Sequence, residues 1–96
     1  CDEFLVVLFD ADKKLSYSLM EGFRKKIETT SFTYHNQIIT FTISIGIACN
    51  FHRSSQTTNL AKCIACADEA CYIAKTTGRN KVELYQSKSK TSENNC

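Results

Sequence analysis

The 96-residue sequence predicts an α+β layer fold, a sheet covered by helices. Three observations predict it. Phe4 to Phe9 is an unbroken apolar run of strand length. Leu15, Leu19, Phe23 and Ile27 recur every four residues, the spacing of one helix face. Phe41, Ile43, Ile45 and Ile47 alternate with Thr40, Thr42, Ser44, Gly46 and Ala48, the period of a strand.

Taken in order, Phe4-Leu5-Val6-Val7-Leu8-Phe9 reads as a strand buried on both faces, between Asp2/Glu3 and Asp10. Ala11 to about Thr29 reads as an amphipathic helix of about five turns, with Asp10 or Asp12 to cap its start. Its charges, among them Glu21, Arg24 and Glu28, fall outside the apolar stripe, and Met20 lies beside it. Gly22 costs that helix about 1 kcal/mol in propensity, which implies close packing against the sheet. Phe32-Thr33-Tyr34 and Ile38-Ile39 flank His35-Asn36-Gln37 as a hairpin with Asn36 at its tip. The second arm is expected to run on through Phe41 to Ile47 as one long strand. After a polar loop over 50–57, Thr58 or Asn59 can cap a second helix with the stripe Leu60, Ile64, Ala67, Cys71 and Ala74. Gly78 is placed to end it. Lys81-Val82-Glu83-Leu84-Tyr85 is a short last strand, and the polar stretch 86–96 is expected to be disordered. A strand buried on both faces needs covering layers, and few elements remain to supply them; exposed edges of that kind invite association with another chain.

Composition narrows the function classes. Apolar residues at 43% and charged residues at 23% are those of a globular chain, not a disordered one. No apolar run approaches the roughly 20 residues that a membrane-spanning helix needs. The start, Cys1-Asp2-Glu3-Phe4, carries no initiator Met or leader, and reads as a chain entered partway through. A net charge of +2 is too slight to argue for nucleic acid. Six cysteines admit a disulfide scaffold, but they sit in apolar patterns in a chain with long periodic segments and no proline. That usage favours a reducing, cytoplasmic compartment.

Three groups of residues can carry chemistry. Asp2 and Glu3 offer hard oxygen ligands at the entrance to a rigid strand, which suits Mg²⁺ held together with substrate phosphates; a bare pair is also compatible with a solvated acidic turn. Lys75 and Arg79 lie four residues apart at the end of the second helix, where two cations can clamp a triphosphate or simply complement the helix dipole. Cys63-Ile64-Ala65-Cys66 with Cys71 lies inside a helix, not in a closed four-ligand geometry, and reads as core packing. His52 and Arg53 sit in a polar loop with no partner near in sequence, and Tyr72 and Tyr85 read as packing residues.

These segments together resemble a known family. Asp2-Glu3-Phe4 running into Leu5-Val6-Val7-Leu8 resembles the end of a GGDEF motif and its strand. Thr42-Ile43-Ser44-Ile45-Gly46-Ile47-Ala48 resembles the family's T-x-S-I-G-V-A strand. Ala67-Asp68-Glu69-Ala70-Cys71-Tyr72-Ile73-Ala74-Lys75, followed by Thr76-Thr77-Gly78-Arg79-Asn80-Lys81-Val82, resembles its A-D-x-A-L-Y-x-A-K-x-x-G-R-N-x-V ending. The resemblance covers residues 1–85, the C-terminal portion of a GGDEF domain, with 86–96 as a tail.

The resemblance implies a sheet like that of nucleotide cyclases and polymerase palm domains, with its N-terminal part missing. It implies a diguanylate cyclase, a nucleotidyltransferase that condenses two GTP into cyclic di-GMP with release of pyrophosphate. Two such domains meet as a homodimer, each presenting one GTP. Asp2 matches the metal-binding acidic position, also implicated in activating the attacking 3′-hydroxyl, and Glu3 the supporting one; Mg²⁺ or Mn²⁺ is the implied cofactor. Lys75 and Arg79 match residues that hold the GTP phosphates, and an upstream sensory or regulatory domain is implied for the whole protein. Cys1 departs from the pattern by standing where the family has its second glycine. A Cβ and sulfur there crowd the approach of a nucleotide to the backbone. That departure leaves an alternative, a degenerate GGDEF module that serves in regulation or dimerisation without cyclising GTP. A thiol or zinc module is the third class.

Overall fold

A computed structural model describes residues 2–51 and 60–86. The elements in order are β1 (Asp2–Phe9), α1 (Lys13–Glu28), β2 (Phe32–Tyr34), β3 (Gln37–Ile39), β4 (Ile43–Phe51), α2 (Leu60–Thr76) and β5 (Val82–Leu84). β1, β4 and β5 form a parallel sheet with β4 in the middle, and β2 and β3 pair antiparallel as a separate ribbon. Helix α1 covers one face of the sheet and α2 the other, which is the α+β layer arrangement that the periodicities predict.

The central strand explains the core. Ile43, Ile45 and Ile47 are fully buried and pack with Val82, Met20 and Ile27 on the α1 side. Ser44 and Ala48, which point the other way, are buried too. The alternation in β4 therefore sorts large side chains from small ones, not core from solvent. Small residues on the second face let α2 come very close. A Cβ at Gly46 would lie 2.3 Å from the Ala67 carbonyl oxygen and 2.3 Å from the Cys71 amide nitrogen. Each isoleucine withdrawn from water contributes about 1.5–3 kcal/mol, so this strand is the main source of hydrophobic stabilisation.

Four expectations are corrected here. First, β1 is not buried on both faces: Phe4 is 42% and Leu5 45% exposed, and Val6 to Phe9 are half-buried. Among the described residues it has a strand neighbour, β4, on one side only. Second, the hairpin does not run on into β4 as one long arm. β1 and β5 already flank β4, so β2 has no ladder position beside it and the hairpin stands off from the sheet. Its two-residue turn is His35-Asn36, both left-handed at φ 50° and 64°, and Phe32 stacks on Phe41 at its root, 5.3 Å between centroids.

Third, α1 is rotated from the expected orientation. Leu15 and Leu19 are 60% and 59% exposed, and the line Ser16, Met20, Arg24 and Ile27 turns toward the sheet instead. Phe23 remains partly exposed, with its ring edge-on to Phe4 at 6.2 Å. Fourth, Gly22 does not pack closely against the sheet: beyond its own helix, no atom of the described residues lies within 4 Å of the place its Cβ would take. Of the two candidate caps Asp12 is the one used, its carboxylate accepting from the Leu15 amide at 2.9 Å.

In α2 the expected stripe is half right. Ala67, Cys71 and Ala74 are buried, but Leu60 and Ile64 are exposed and the small residues Cys63, Cys66 and Ala70 take the inward positions. Close approach at Gly46 leaves no room for a leucine or isoleucine there. All three helix cysteines thus pack in the core. The caps Thr58 and Asn59, and the tail from residue 87, lie outside the described residues.

Candidate functional site

Two motifs far apart in sequence meet where β1 enters the sheet. Alternation along β1 places Glu3 on the α2 face and Asp2 on the α1 face, with Phe4. The Lys75 ammonium, in the last turn of α2, lies 2.7 Å from the Glu3 carboxylate, with both side chains partly exposed. Such a pair contributes at most about 1 kcal/mol to stability. Its importance is positional: it joins the acidic strand entrance to the cationic helix end.

The turn after α2 is tightly specified. The Thr77 amide bonds the Ile73 carbonyl at 3.0 Å, and the Arg79 amide reaches back to the Ala74 carbonyl at 2.8 Å, across Gly78 at φ 131°. Glycine is well suited to this helix stop, because a Cβ disfavours that backbone region. Arg79 and Asn80 follow at φ 60° and 50°. Left-handed backbone in non-glycine residues costs about 1–2 kcal/mol each, so surrounding contacts must hold them. Arg79 itself is exposed.

Those contacts come from Ser44 of β4 and from charged residues of α1 outside its apolar stripe. Arg24 is only 7% exposed. Its guanidinium donates to both oxygens of Glu21 at 2.8 Å, to Glu28 at 3.1 Å and to the Asn80 side-chain oxygen at 2.7 Å. The Asn80 amide group donates to Glu28 at 2.9 Å, and the Asn80 backbone N–H donates to the Ser44 hydroxyl at 3.2 Å. The Arg24 hydrogen bonds hold the Glu21 carboxyl below its ordinary range. Asn80 first, and Arg24 second, do the same for Glu28. These carboxylates in turn raise the Arg24 pKa. The available signal was the spacing: Arg24 follows Glu21 by three and precedes Glu28 by four, so one guanidinium is bracketed by two carboxylates.

The cysteines offer no activated thiol among the described residues that titrate. Burial pushes Cys49, Cys63 and Cys71 up, away from the thiolate that nucleophilic or metal chemistry needs. Cys71 lies under the ion pair, 4.0 Å from Glu3 and 3.9 Å from the Ser44 carbonyl, and Glu3 raises it further. His35 packs edge-on against Tyr34 at the hairpin tip, 4.1 Å between centroids. Cys1, His52 and Arg53 lie outside the described residues.

The carboxylate oxygens of Asp2 and Glu3 are the donor type that a hard divalent ion takes together with phosphates, although the ammonium of Lys75 already occupies Glu3. Among the described residues no three His, Cys, Asp or Glu side chains converge as a metal cluster. Asp2 and Glu3 point to opposite faces, so one ion touching both would require a departure from regular strand geometry at that point.

The α+β sheet thus brings a carboxylate of the first strand and a cation of the last helix together at one end. The chain belongs to the GGDEF family: residues 1–81 match the family described as "Diguanylate cyclase, GGDEF domain". It is 38% identical over 87 residues to "Diguanylate cyclase DosC" of Escherichia coli (strain K12), covering 88% of this chain and 18% of that protein. It is 34% identical over 84 residues to "Diguanylate cyclase A" of Treponema denticola, covering 86% of this chain and 22% of that protein. The "Uncharacterized membrane protein SERP0413" of Staphylococcus epidermidis is 33% identical over 82 residues, 84% of this chain and 22% of that protein. The chain therefore spans about a fifth of the length of these relatives. No helix among its described residues is long and apolar enough to cross a membrane.

Proposed function

We propose that this chain is the C-terminal part of a diguanylate cyclase. The whole protein would join two GTP into cyclic di-GMP, each 3′-hydroxyl displacing pyrophosphate from the other nucleotide's α-phosphorus. The observation that carries the reading is the Glu3–Lys75 pair, 2.7 Å apart, which unites the two halves of the resemblance in one place. Asp2 would hold Mg²⁺ or Mn²⁺ with Glu3 in support. When bound, the ion would neutralise phosphate charge and orient the reacting groups. Asp2 also stands where the family draws the proton from the attacking hydroxyl. Glu3 keeps Lys75 at the strand entrance until a triphosphate offers it stronger acceptors. Arg79, exposed at the head of the next turn, adds a planar fork for a second phosphate. Fixed cations at the departing pyrophosphate lower the barrier because charge accumulates there in the transition state.

Activity belongs to the whole protein acting as a homodimer with its sensory or regulatory domain; the 96-residue chain alone is expected neither to bind GTP tightly nor to turn it over. Cys1, in the place of a glycine, favours the second reading of a GGDEF module that does not cyclise GTP. One assay separates them: the full-length protein with GTP and Mg²⁺, beside Asp2→Ala. Cyclic di-GMP formed by the parent and lost by at least a hundredfold in Asp2→Ala, on the scale of removing a group that stabilises the transition state, is the expected result. No product from the parent protein with GTP still bound assigns the regulatory reading. Product formed equally by Asp2→Ala overturns the assignment of the site.

A further inference from the structure

The Arg24 cluster lies outside the carboxylate and phosphate site, yet it ends on the residue next to Arg79. From this geometry we propose that Arg24, Glu28 and Ser44 act through Asn80 as a latch that positions Arg79 for a triphosphate. The proposal rests on the phosphate-holding role given to Arg79 above.

Asn80 is the meeting point of three elements. Its side-chain oxygen accepts from Arg24 of α1 at 2.7 Å, its amide group donates to Glu28 of the same helix at 2.9 Å, and its backbone N–H donates to Ser44 of β4 at 3.2 Å. A helix stop needs none of this, because Gly78 and the Arg79–Ala74 bond already complete it. What the extra bonds fix is the residue after the stop. Arg79 stands between two pinned points, the Ala74 carbonyl behind and Asn80 ahead, in a backbone region that arginine seldom adopts. Its Cα–Cβ direction is thereby set while its side chain remains exposed.

Arg24 is not itself a phosphate ligand. It is buried, and Glu21 and Glu28 already oppose its single charge with two. Its place is structural to the turn, whereas Arg79 has the exposure that a ligand needs. A guanidinium gains bidentate strength only when its fork is aimed, and a turn free to wander loses orientation on every binding event. Asn80 and its partners are therefore positioning residues.

The test uses the full-length protein and two probes, a GTP analogue with a methylene bridge between its α- and β-phosphates and GMP, with affinities measured by calorimetry. Asn80→Gly removes the side-chain anchors while glycine accepts the left-handed backbone. It is expected to weaken the analogue about tenfold, the worth of one charge-assisted hydrogen bond, and to leave GMP unchanged. Arg79→Ala is expected to do the same, and the double variant to lose no more than the larger single loss, since a latch without its bolt has nothing to position. Glu28→Ala, at a carboxylate 41% exposed, should shift the same ratio severalfold with little risk to folding and serves where Asn80→Gly lowers the melting temperature. Additive losses, equal loss for both probes, or no loss in Asn80→Gly and Glu28→Ala overturn the latch. If Arg79→Ala leaves the analogue's affinity unchanged, it is the phosphate-holding role of Arg79 that falls, and the latch with it. If Arg79→Ala weakens the analogue and the latch variants do not, that role stands and the latch alone is refuted.

Discussion

Replacing Gly46 by alanine puts a carbon 2.3 Å from the carbonyl oxygen of Ala67, 2.3 Å from the amide nitrogen of Cys71 and 2.7 Å from the Cα of Cys71. All three atoms are backbone, so no side chain can swing aside. Ordinary contact begins near 3.4 Å, so helix α2 must withdraw from β4 by about 1 Å. That withdrawal loosens the packing of Ala67, Ala70 and Cys71 over the whole interface, and the cost is expected to reach at least about 3 kcal/mol, the upper part of the overpacking range. The same displacement carries Lys75 away from Glu3, so phosphate binding should fall together with stability. Urea unfolding of the full-length protein, followed by a probe in this domain, measures the first effect, and calorimetry with the GTP analogue the second. A Gly46→Ala variant within about 1 kcal/mol of the parent would refute the close approach as the reason for the glycine.

Gly22→Ala should act in the opposite direction. With open space around it, the methyl group brings only helix propensity, and a gain of about 0.5–1 kcal/mol in the same unfolding assay is expected. The acid limb of stability should report the Arg24 cluster. Glu21 and Glu28 titrate below their ordinary value of 4.5 in the folded protein, so their contribution is full above that pH and is lost as pH falls through their lowered values. Glu21→Gln should flatten the decline below about pH 4.5, and an unchanged acid midpoint and slope would count against the network.

Most elements were legible because their periods are local, but the break between β3 and β4 was not, since it is set by the places of β1 and β5 beside β4. What the sequence leaves open is which face goes where, since the partner that decides it is distant. Leu15 and Leu19 form the more hydrophobic stripe, yet Ser16, Met20, Arg24 and Ile27 face the sheet, and Arg24 is held there by Asn80, 56 positions away. The Ile/Ser/Gly/Ala alternation of β4 announces a strand, but only the position of α2 reveals that both of its faces are inside. At the site, Glu3 and Lys75 were each ambiguous alone and gained meaning by meeting. Arg24 and Asn80 were missed because a charge bracketed by opposite charges on a helix reads first as a solvated surface.

These observations connect the core to the chemistry through a single geometric demand. A cationic helix end can serve a carboxylate on the neighbouring strand only if the helix lies almost in contact with the sheet, because Lys75 spans a fixed reach to Glu3. Small residues on both sides supply that contact: Gly46, Ser44 and Ala48 on β4, and Ala67, Ala70, Cys71 and Ala74 on α2. Larger residues would bury more apolar surface and favour stability by the usual measure, but they would lift α2 and open the ion pair. Ser44 illustrates the same constraint, since a buried hydroxyl in the centre of a sheet is a cost unless it is bonded, and its oxygen accepts from the Asn80 backbone in the turn that follows α2. The T-x-S-I-G pattern of β4 is thus explained without appeal to the reaction itself: isoleucines build one face, and the serine and glycine hold the cationic end of α2 against the other.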